Sequence, residues 1–440
     1  MLTRRLSPAQ IARRAETVLY RVAGLPVALA ALFRPEPHDP PSTLRAAYAY
    51  HYWSPESWGE LVDIAFALAL SPIIFVMSAL WFTAHNGSRI AQRCGRPVWK
   101  QLSDQLACYV SAGVLPPWYY IFSLHNVDAA SRAKTFLNRF ETKRCHYRLL
   151  SRHRKSRSPL ADKVAFGRWC ADRGLPAAVI VGTAHAGRYE GGLLPEADLF
   201  VKPIVGRGGC GAERWDHLGG GRYRHQRLGV LNDEQLRTRL AALSTRTPRL
   251  VQRRLVNHPA LERFSNGALT TVRVLTCLDE HAKPEITAAV FRMAVGNNRT
   301  VDNIHAGGIA TSIDLESGRL GAASDIGMSA ARGWLDRHPD TGATITDEIL
   351  PGWPSIRDLA LRAHAAFTDR VCIGWDIALT GGGPCLVEGN GAPDVDLMQR
   401  PMRRGLATER FGTLLAYHVL AAERYRREAP RPRRHRKATT

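Results

Sequence analysis

The stretch from Val371 to Asn390 constrains this chain most. Val371-Cys-Ile-Gly-Trp-Asp-Ile-Ala-Leu and Cys385-Leu-Val-Glu are both rich in β-formers, with Thr380-Gly381-Gly382-Gly383-Pro384 between them. Two such runs around a glycine turn read as an antiparallel hairpin. A turn centred on Gly382 sets Asp376 opposite Glu388. Asn390, two residues further on, points to the same face. Facing carboxylates repel unless a cation or a proton lies between them. Oxygen-only ligands favour Mg²⁺ or Mn²⁺ over zinc, and a Mg²⁺ held by few carboxylates takes phosphate oxygens as further partners. The alternative is a solvated hairpin carrying scattered acids.

Positive charge of the right kind lies upstream. Asp198-Leu-Phe-Val-Lys202-Pro203 is a short apolar strand ending in a lysine. It runs into Ile204-Val205-Gly206-Arg207-Gly208-Gly209-Cys210-Gly211. Glycines tolerate φ > 0, so such a loop can turn backbone N–H groups toward an anion. No Gly-Lys-Ser/Thr follows, so this is not a Walker loop. Of sixty Lys plus Arg only eight are lysines, which marks Lys202 and Lys163 as places where a compact ammonium is preferred to a planar fork. Lys163 follows Ser158-Pro159-Leu-Ala-Asp162. The Ser-Pro pair predicts a helix start, and Gly174-Leu175-Pro176 predicts its end. Lys163 then sits where a helix dipole also favours an anion, although an exposed surface lysine is the simpler reading of that position alone. Cys210 reads as a small filler residue rather than a nucleophile.

The order of these pieces resembles the ATP-grasp superfamily over roughly residues 160 to 420, and within it the sugar-transfer-associated, α-L-glutamate-ligase-related branch. The resemblance rests on Leu250-Val-Gln252, Asn257-His258-Pro259, Thr271-Val-Arg273-Val-Leu-Thr276, Asp302-Asn303-Ile-His305-Ala-Gly307-Gly308 and Gly374-Trp-Asp376, besides the hairpin and glycine loop. It implies an α+β fold in which two subdomains grip ATP, with a mainly helical N-terminal accessory region. It implies that Lys163 and Lys202 hold ATP phosphates and that Gly208 and Gly209 lie in a mobile covering loop. Val251 and Gln252 would line the adenine site. Asp376, Glu388 and Asn390 would bind Mg²⁺ or Mn²⁺. Arg273, Arg292 and Asn303 would border the transferred phosphate with Lys202. The sequence departs from the family pattern in two places: Arg253-Arg254 stands where an acid often meets the ribose, and Pro393-Asp394 replaces Pro-Gly.

The resemblance implies an ATP- and Mg-dependent ligase that activates a carboxylate as an acyl-phosphate for attack by an amine or another nucleophile. The branch name suggests a small-molecule or glycan-linked substrate in cell-surface glycan synthesis. Rival readings are a phosphotransferase and a peripheral membrane scaffold that only binds ATP. His305 is either a proton carrier near the acceptor or a locally hydrogen-bonded histidine.

Composition sets outer limits. A chain of 440 residues with 45% apolar content supports two or three units. The eight cysteines include no Cys-x-x-Cys, which fits free thiols in a reducing cytoplasm. The net charge is +21, of which residues 143–158 carry seven and residues 423–440 a net six. Residues 423–440 read as a disordered basic tail that attracts anionic lipid or simply solvates the chain; few aromatics interleave, so nucleic acid is unlikely as a partner.

Residues 1–60, basic and with Pro35, Pro37, Pro40 and Pro41, read as an irregular wrapping segment without a secretory signal. Residues 61–157 read as a helical accessory region and 158–422 as the ATP-grasp domain. Within the former, Ile64–Phe82 holds nineteen apolar-leaning residues with Pro72 at their middle. A buried helix, kinked or divided at Pro72, is the preferred reading; a membrane span or in-plane anchor is the alternative. Leu102, Leu106, Val110 and Val114 predict an inward-facing helix stripe, and Asn232 with Gln235 predicts a capped helix.

Overall fold

The computed structural model describes residues 8–32, 37–126, 128–206 and 211–428. Gly208, Gly209 and Cys210 of the glycine loop, Pro35, and the tail beyond residue 428 lie outside the described residues.

Among the described residues, twelve strands form two antiparallel sheets. They are β1 (Ile180–His185), β2 (Arg188–Glu190), β3 (Leu199–Pro203), β4 (Glu213–His217), β5 (Arg222–His225), β6 (Gly229–Asn232), β7 (Arg249–Arg253), β8 (Thr271–Leu278), β9 (Pro284–Met293), β10 (Ile309–Ser312), β11 (Cys372–Thr380) and β12 (Gly383–Asn390). The smaller unit has seven short strands, ordered β2-β1-β7-β3-β4-β5-β6, and the larger has five mostly longer ones, ordered β10-β9-β8-β11-β12.

The larger sheet is covered on both faces, which is why its central strands are apolar almost throughout. On one face Val274, Trp375 and Ile377 pack against Trp353, Ile356 and Leu359 of the helix Trp353–Ala365. On the other, Leu275 and Cys372 meet Phe411, Leu415 and Val419 of the helix Arg410–Glu428. Buried side chains of this size contribute roughly 1.5–3 kcal/mol each. In the smaller unit Leu199, Val201, Trp215 and Val251 close over Leu236 and Leu240 of the helix Asp233–Ser244. Asn232 caps that helix reciprocally with Gln235.

A ribbon of chain joins the two sheets. Leu386 N donates to Pro176 O and Ala178 N to Leu386 O, on the edge of the larger sheet, while Arg253 N donates to Val179 O in the smaller one.

The N-terminal third is helical: α1 (Pro8–Leu32), α2 (Pro40–Tyr52), α3 (Trp58–Cys94) and α4 (Val98–Ala112). Most of the described part of residues 1–60 is therefore helical rather than irregular, with Pro37 in the short link before α2. Pro40 and Pro41 occupy the first turn of α2 behind an Asp39 cap, where a missing N–H costs nothing. Residues 423–428 are helical rather than tail, and Glu423 bonds His51 at 2.8 Å.

Pro72 does not divide α3, which runs unbroken for 37 residues. Nor is it a buried helix, because only 22% of its most apolar window is covered. The predicted inward stripe holds only at its ends: Val114, just past α4, is buried and Leu102 partly so, but Leu106 and Val110 are exposed, while Gln101, Asp104 and Gln105 are buried.

Candidate active site

The two sheets face each other across a cleft of about 1320 Å³. Strand alternation decides what enters it. On β3, Leu199 and Val201 turn into the small core, so Phe200 and Lys202 face the cleft. On β7, Val251 belongs to that same core and is fully buried, so Gln252 alone of the pair lines the cleft. The side chain of Val251 is thus not a wall of the site. The linker that follows supplies Leu255, Val256 and Asn257 instead, beyond the reach of the motif that ended at Gln252. Arg254 pairs with Asp198 from the neighbouring strand, so it is committed to holding β3 and the linker together.

The hairpin closes on Gly381-Gly382 rather than about Gly382, a register that alone would set Asp376 opposite Val387; a bulge shifts it by one residue. Thr380 faces Gly383, and Asp376 faces Glu388, with an irregularity between Asp376 and Ile377. Trp375 and Ile377 point to the core, which leaves Asp376 on the cleft side.

Its neutralising charge comes from two arginines rather than from the hairpin's other face. Arg273, its register partner on β8, grips Asp376 with Nε and, at 2.9 Å, with Nη2. Arg292 on β9 reaches Asp376 Oδ2 at 3.0 Å. Burial alone would raise the Asp376 pKa; the two guanidiniums outweigh it and hold the carboxyl well below the usual range. Arg292 also bonds Thr271, whose hydroxyl donates to the buried Asp302 at 2.5 Å. Burial pushes the Asp302 pKa up despite Arg292.

Glu388 is differently placed. Its side chain is 30% exposed and lies 3.8 Å from Lys163 Nζ. Asn390 Nδ2 donates to Glu388 Oε1 at 3.3 Å. Lys163 is the first residue of the helix Lys163–Ala171, which is capped by Asp162 rather than started at Ser158. The helix begins there because Asp162 accepts from the N–H groups of Val164 and Ala165, the bonds that Ser158 is too distant to accept. Lys163 also donates to Gly206 O at 3.3 Å, at the root of the glycine loop. Lys202 projects into the same space. Burial lowers its pKa to about 8, with Glu388 opposing and Lys163 adding to the shift.

All the residues expected at the site that fall within the described chain, Val251 excepted, therefore converge on one cleft: Lys163, Lys202, Gln252, Arg273, Arg292, Asn303, Asp376, Glu388 and Asn390. Asn303 lines it, but its side-chain oxygen accepts from His305 N at 2.9 Å, so it also caps the turn Ile304–Ala306.

For a divalent cation, Glu388 and the side-chain oxygen of Asn390 are suitable donors, whereas both Asp376 oxygens are held by guanidinium groups. Among the described residues no three His, Cys, Asp or Glu side chains converge as a metal cluster.

A second wall was not foreseen from the sequence. The helical run of residues 139–153 sends Arg139, Lys143, Tyr147 and Ser151 into the cleft at four-residue intervals. Asp394, the residue that departs from the family's Pro-Gly, is why this run docks there. Lys143 bonds it at 2.7 Å and Arg139 at 3.1 Å, and both hold its pKa down against burial. Next to it Asp396 is buried and accepts from Trp118 Nε1 at 2.8 Å. Burial and the Asp394 charge push the Asp396 pKa up. His305 lines the cleft on this side, with its pKa lowered by burial. The Asp394 signal was visible in the sequence; its partners, some 250 residues away, were not.

Residues 142–412 match the model of the sugar-transfer associated ATP-grasp family. No curated protein matches the chain. Among solved structures it is similar to an L-amino acid ligase from Bacillus licheniformis (10% identity, TM-score 0.32, covering 54% of this chain and 41% of that one). It is also similar to D-alanyl-alanine synthetase A from Vibrio cholerae O1 biovar eltor (12% identity, TM-score 0.34, covering 60% and 65%). A D-alanine–D-alanine ligase from Bacillus anthracis, complexed with ATP, matches at 11% identity and TM-score 0.33, covering 61% and 68%. The chain spans less than two thirds of the first two. By the family match, which takes in more than half its length, the chain belongs to the sugar-transfer associated ATP-grasp family and has the ATP-grasp fold.

Proposed function

We propose that this ATP-grasp protein is an ATP- and Mg²⁺-dependent ligase that activates a carboxylate as an acyl-phosphate and passes it to an amine or another nucleophile. The observation that carries the reading is the convergence of Lys163, Lys202, Arg273, Arg292, Glu388 and Asn390 on one cleft between two sheets. That set supplies cations for a triphosphate and oxygen donors for a divalent ion, and lacks a side chain suited to covalent catalysis.

Lys202 and Lys163 would hold the phosphates, with Lys163 anchored by Gly206 O beside the glycine loop. Phe200, Gln252, Leu255 and Val256 would enclose the base. Glu388 and Asn390 would hold Mg²⁺, with Asp376, whose charge Arg273 and Arg292 balance, as the third oxygen donor of the site. Bound Mg²⁺ supplies charge neutralisation and alignment of the phosphoryl oxygens. Arg273 and Arg292 would stabilise the negative charge that develops in transfer, and fixed cations aimed at developing charge lower such a barrier more than any other device in a site of this kind. Arg139 and Lys143 make the opposite wall cationic, which supports an anionic carboxylate as the group activated there. A glycan-linked or small-molecule acceptor and a cytoplasmic setting, where ATP is plentiful, complete the proposal.

The test is ADP release by purified protein with Mg²⁺-ATP against panels of carboxylates and amines, with products analysed by mass. A ligase releases ADP only with both partners and yields an amide. ADP release with a phosphorylated product and no amide assigns a phosphotransferase. Turnover in Lys202→Ala equal to the parent's overturns the phosphate assignment.

A further inference from the structure

Helix α3 buries polar side chains among apolar ones and turns an apolar face outward. Along its covered stripe lie Asp63, Ser71, Thr83 and Asn86, all buried. Three of them are hydrogen-bonded to neighbouring elements: Ser71 Oγ donates to Val22 O at 3.2 Å, Thr83 Oγ1 accepts from Gln105 Nε2 at 2.8 Å, and Asn86 bonds both Met328 O and Ala330 N. The outer face is apolar. Phe66, Ile73, Met77 and Trp81 are exposed, Met77 to 65%. Helix α4 repeats the pattern beside it, with Trp99 exposed to 68% and Val110 to 65% while Gln101, Asp104 and Gln105 are buried. Water-facing helices carry the opposite pattern.

The helix is long enough to cross a bilayer, at 37 residues or about 55 Å. Its contacts forbid crossing. Arg21 of α1 bonds Glu60 near its start, and Arg93 near its end donates to the carbonyls of Ala330 and Ala331 in the ATP-grasp domain. The body of the protein therefore lies along its whole length on one side, and only the other side is open.

We propose that the outer faces of α3 and α4 lie in one leaflet of an anionic lipid bilayer, as an in-plane anchor that leaves the cleft in water. Three observations select lipid over a second copy. No Asp, Glu, Lys or Arg interrupts residues 64–88, so the face offers nothing to fix the register of a protein partner. Exposed Trp58, Trp81 and Trp99 suit a membrane interface, where an apolar ring carries one polar tip. The chain has a net charge of +21, and the exposed Arg89 follows directly on the uncharged run. Pairing two copies would oppose these charges, whereas an anionic leaflet attracts them. The depth required is that of an amphipathic helix, about 5–10 Å. The inference does not depend on the reaction in the cleft.

The test is flotation of the full chain with vesicles of phosphatidylcholine, alone or mixed with phosphatidylglycerol. The expected result is co-flotation that increases with phosphatidylglycerol, and a loss of about tenfold or more in a combined Phe66→Asp, Met77→Asp, Val110→Asp variant that keeps the parent's circular dichroism. A second reading needs no charged substitution: brominated lipid should quench the parent's tryptophan fluorescence, and less so in Trp81→Phe, Trp99→Phe. Parent protein that stays unbound to both vesicles, a variant that floats as well as the parent, or absence of quenching overturns the proposal. So does a parent dimer in light scattering that falls to monomer in the charged variant while neither binds vesicles.

Discussion

Glu388 stands directly across the hairpin from Asp376, yet the two carboxylates are neutralised by different cations: Asp376 by Arg273 and Arg292, Glu388 by Lys163 at 3.8 Å. The first pairing is buried and bidentate, the second half-open. The same hairpin thus carries one carboxylate already balanced by two arginines and one more open to a ligand.

Asp376→Asn should be destabilising as well as inactivating, because it leaves Arg273 without its paired carboxylate and Arg292 with only Asp302, at 3.7 Å. A loss of about 3–5 kcal/mol is expected from breaking such a buried pair, read from urea or thermal unfolding. Arg273→Met in the same chain should recover part of the loss. The folded-state pKa of Asp376 is lowered, so its contribution is present above the ordinary carboxylate range and disappears as pH falls below about 4. Unfolding curves of Asp376→Asn and parent should therefore converge in acid.

Glu388→Gln should behave oppositely. Its side chain is 30% exposed, so unfolding midpoints should stay near the parent's. Nucleotide binding should lose its dependence on Mg²⁺, as should Asn390→Ala to a lesser degree. Fluorescent-nucleotide titrations at several Mg²⁺ concentrations check this; an unchanged Mg²⁺ dependence would remove both residues from the metal site.

Lys202 gives a pH signature. Its pKa in the free protein is about 8, so its charge, and with it affinity for a triphosphate, is lost as pH rises through that value. The basic limb of kcat/KM, which reports free-enzyme groups, should fall near pH 8. Lys202→Arg should move that limb upward, because guanidinium keeps its proton. The stability effect has the other sign: since the folded pKa is below the unfolded one, stability rises with pH between about 8 and 10.5.

Asp396 predicts a third pH effect. Its pKa is raised by burial and by Asp394, so the unfolded chain loses its proton first and this residue lowers stability as pH climbs out of the carboxylate range. Asp396→Asn should flatten that decline while keeping the Trp118 hydrogen bond. Melting temperatures from pH 4 upward measure it; parallel curves for variant and parent would show that Asp396 is ionised in the folded state.

The sequence and the structure agree where chemistry is local. The hairpin followed from β-formers around three glycines, although a bulge beside Asp376, not the turn alone, sets it opposite Glu388, and Lys163, Lys202, Arg273 and Arg292 reached the cleft that their motifs implied. Disagreement arose where the choice of face depends on distant packing. Val251 and Gln252 are neighbours, and only the fold tells which of them meets the core. The spacing of Leu106 and Val110 identifies a helix but not its inner side, because buried glutamines can be satisfied by Thr83 and Gly87 from the facing helix. The cationic wall of Arg139 and Lys143 depends on Asp394, and no periodicity links residues that far apart.

The ribbon of residues 176–179 holds both sheets by main-chain bonds, one set to Leu386 and one to Arg253. A segment tied to both sheets puts the pivot of any relative movement next to Gln252 and Leu255, which line the cleft beside it. On the proposed function, that end of the cleft would change shape least as the site closed.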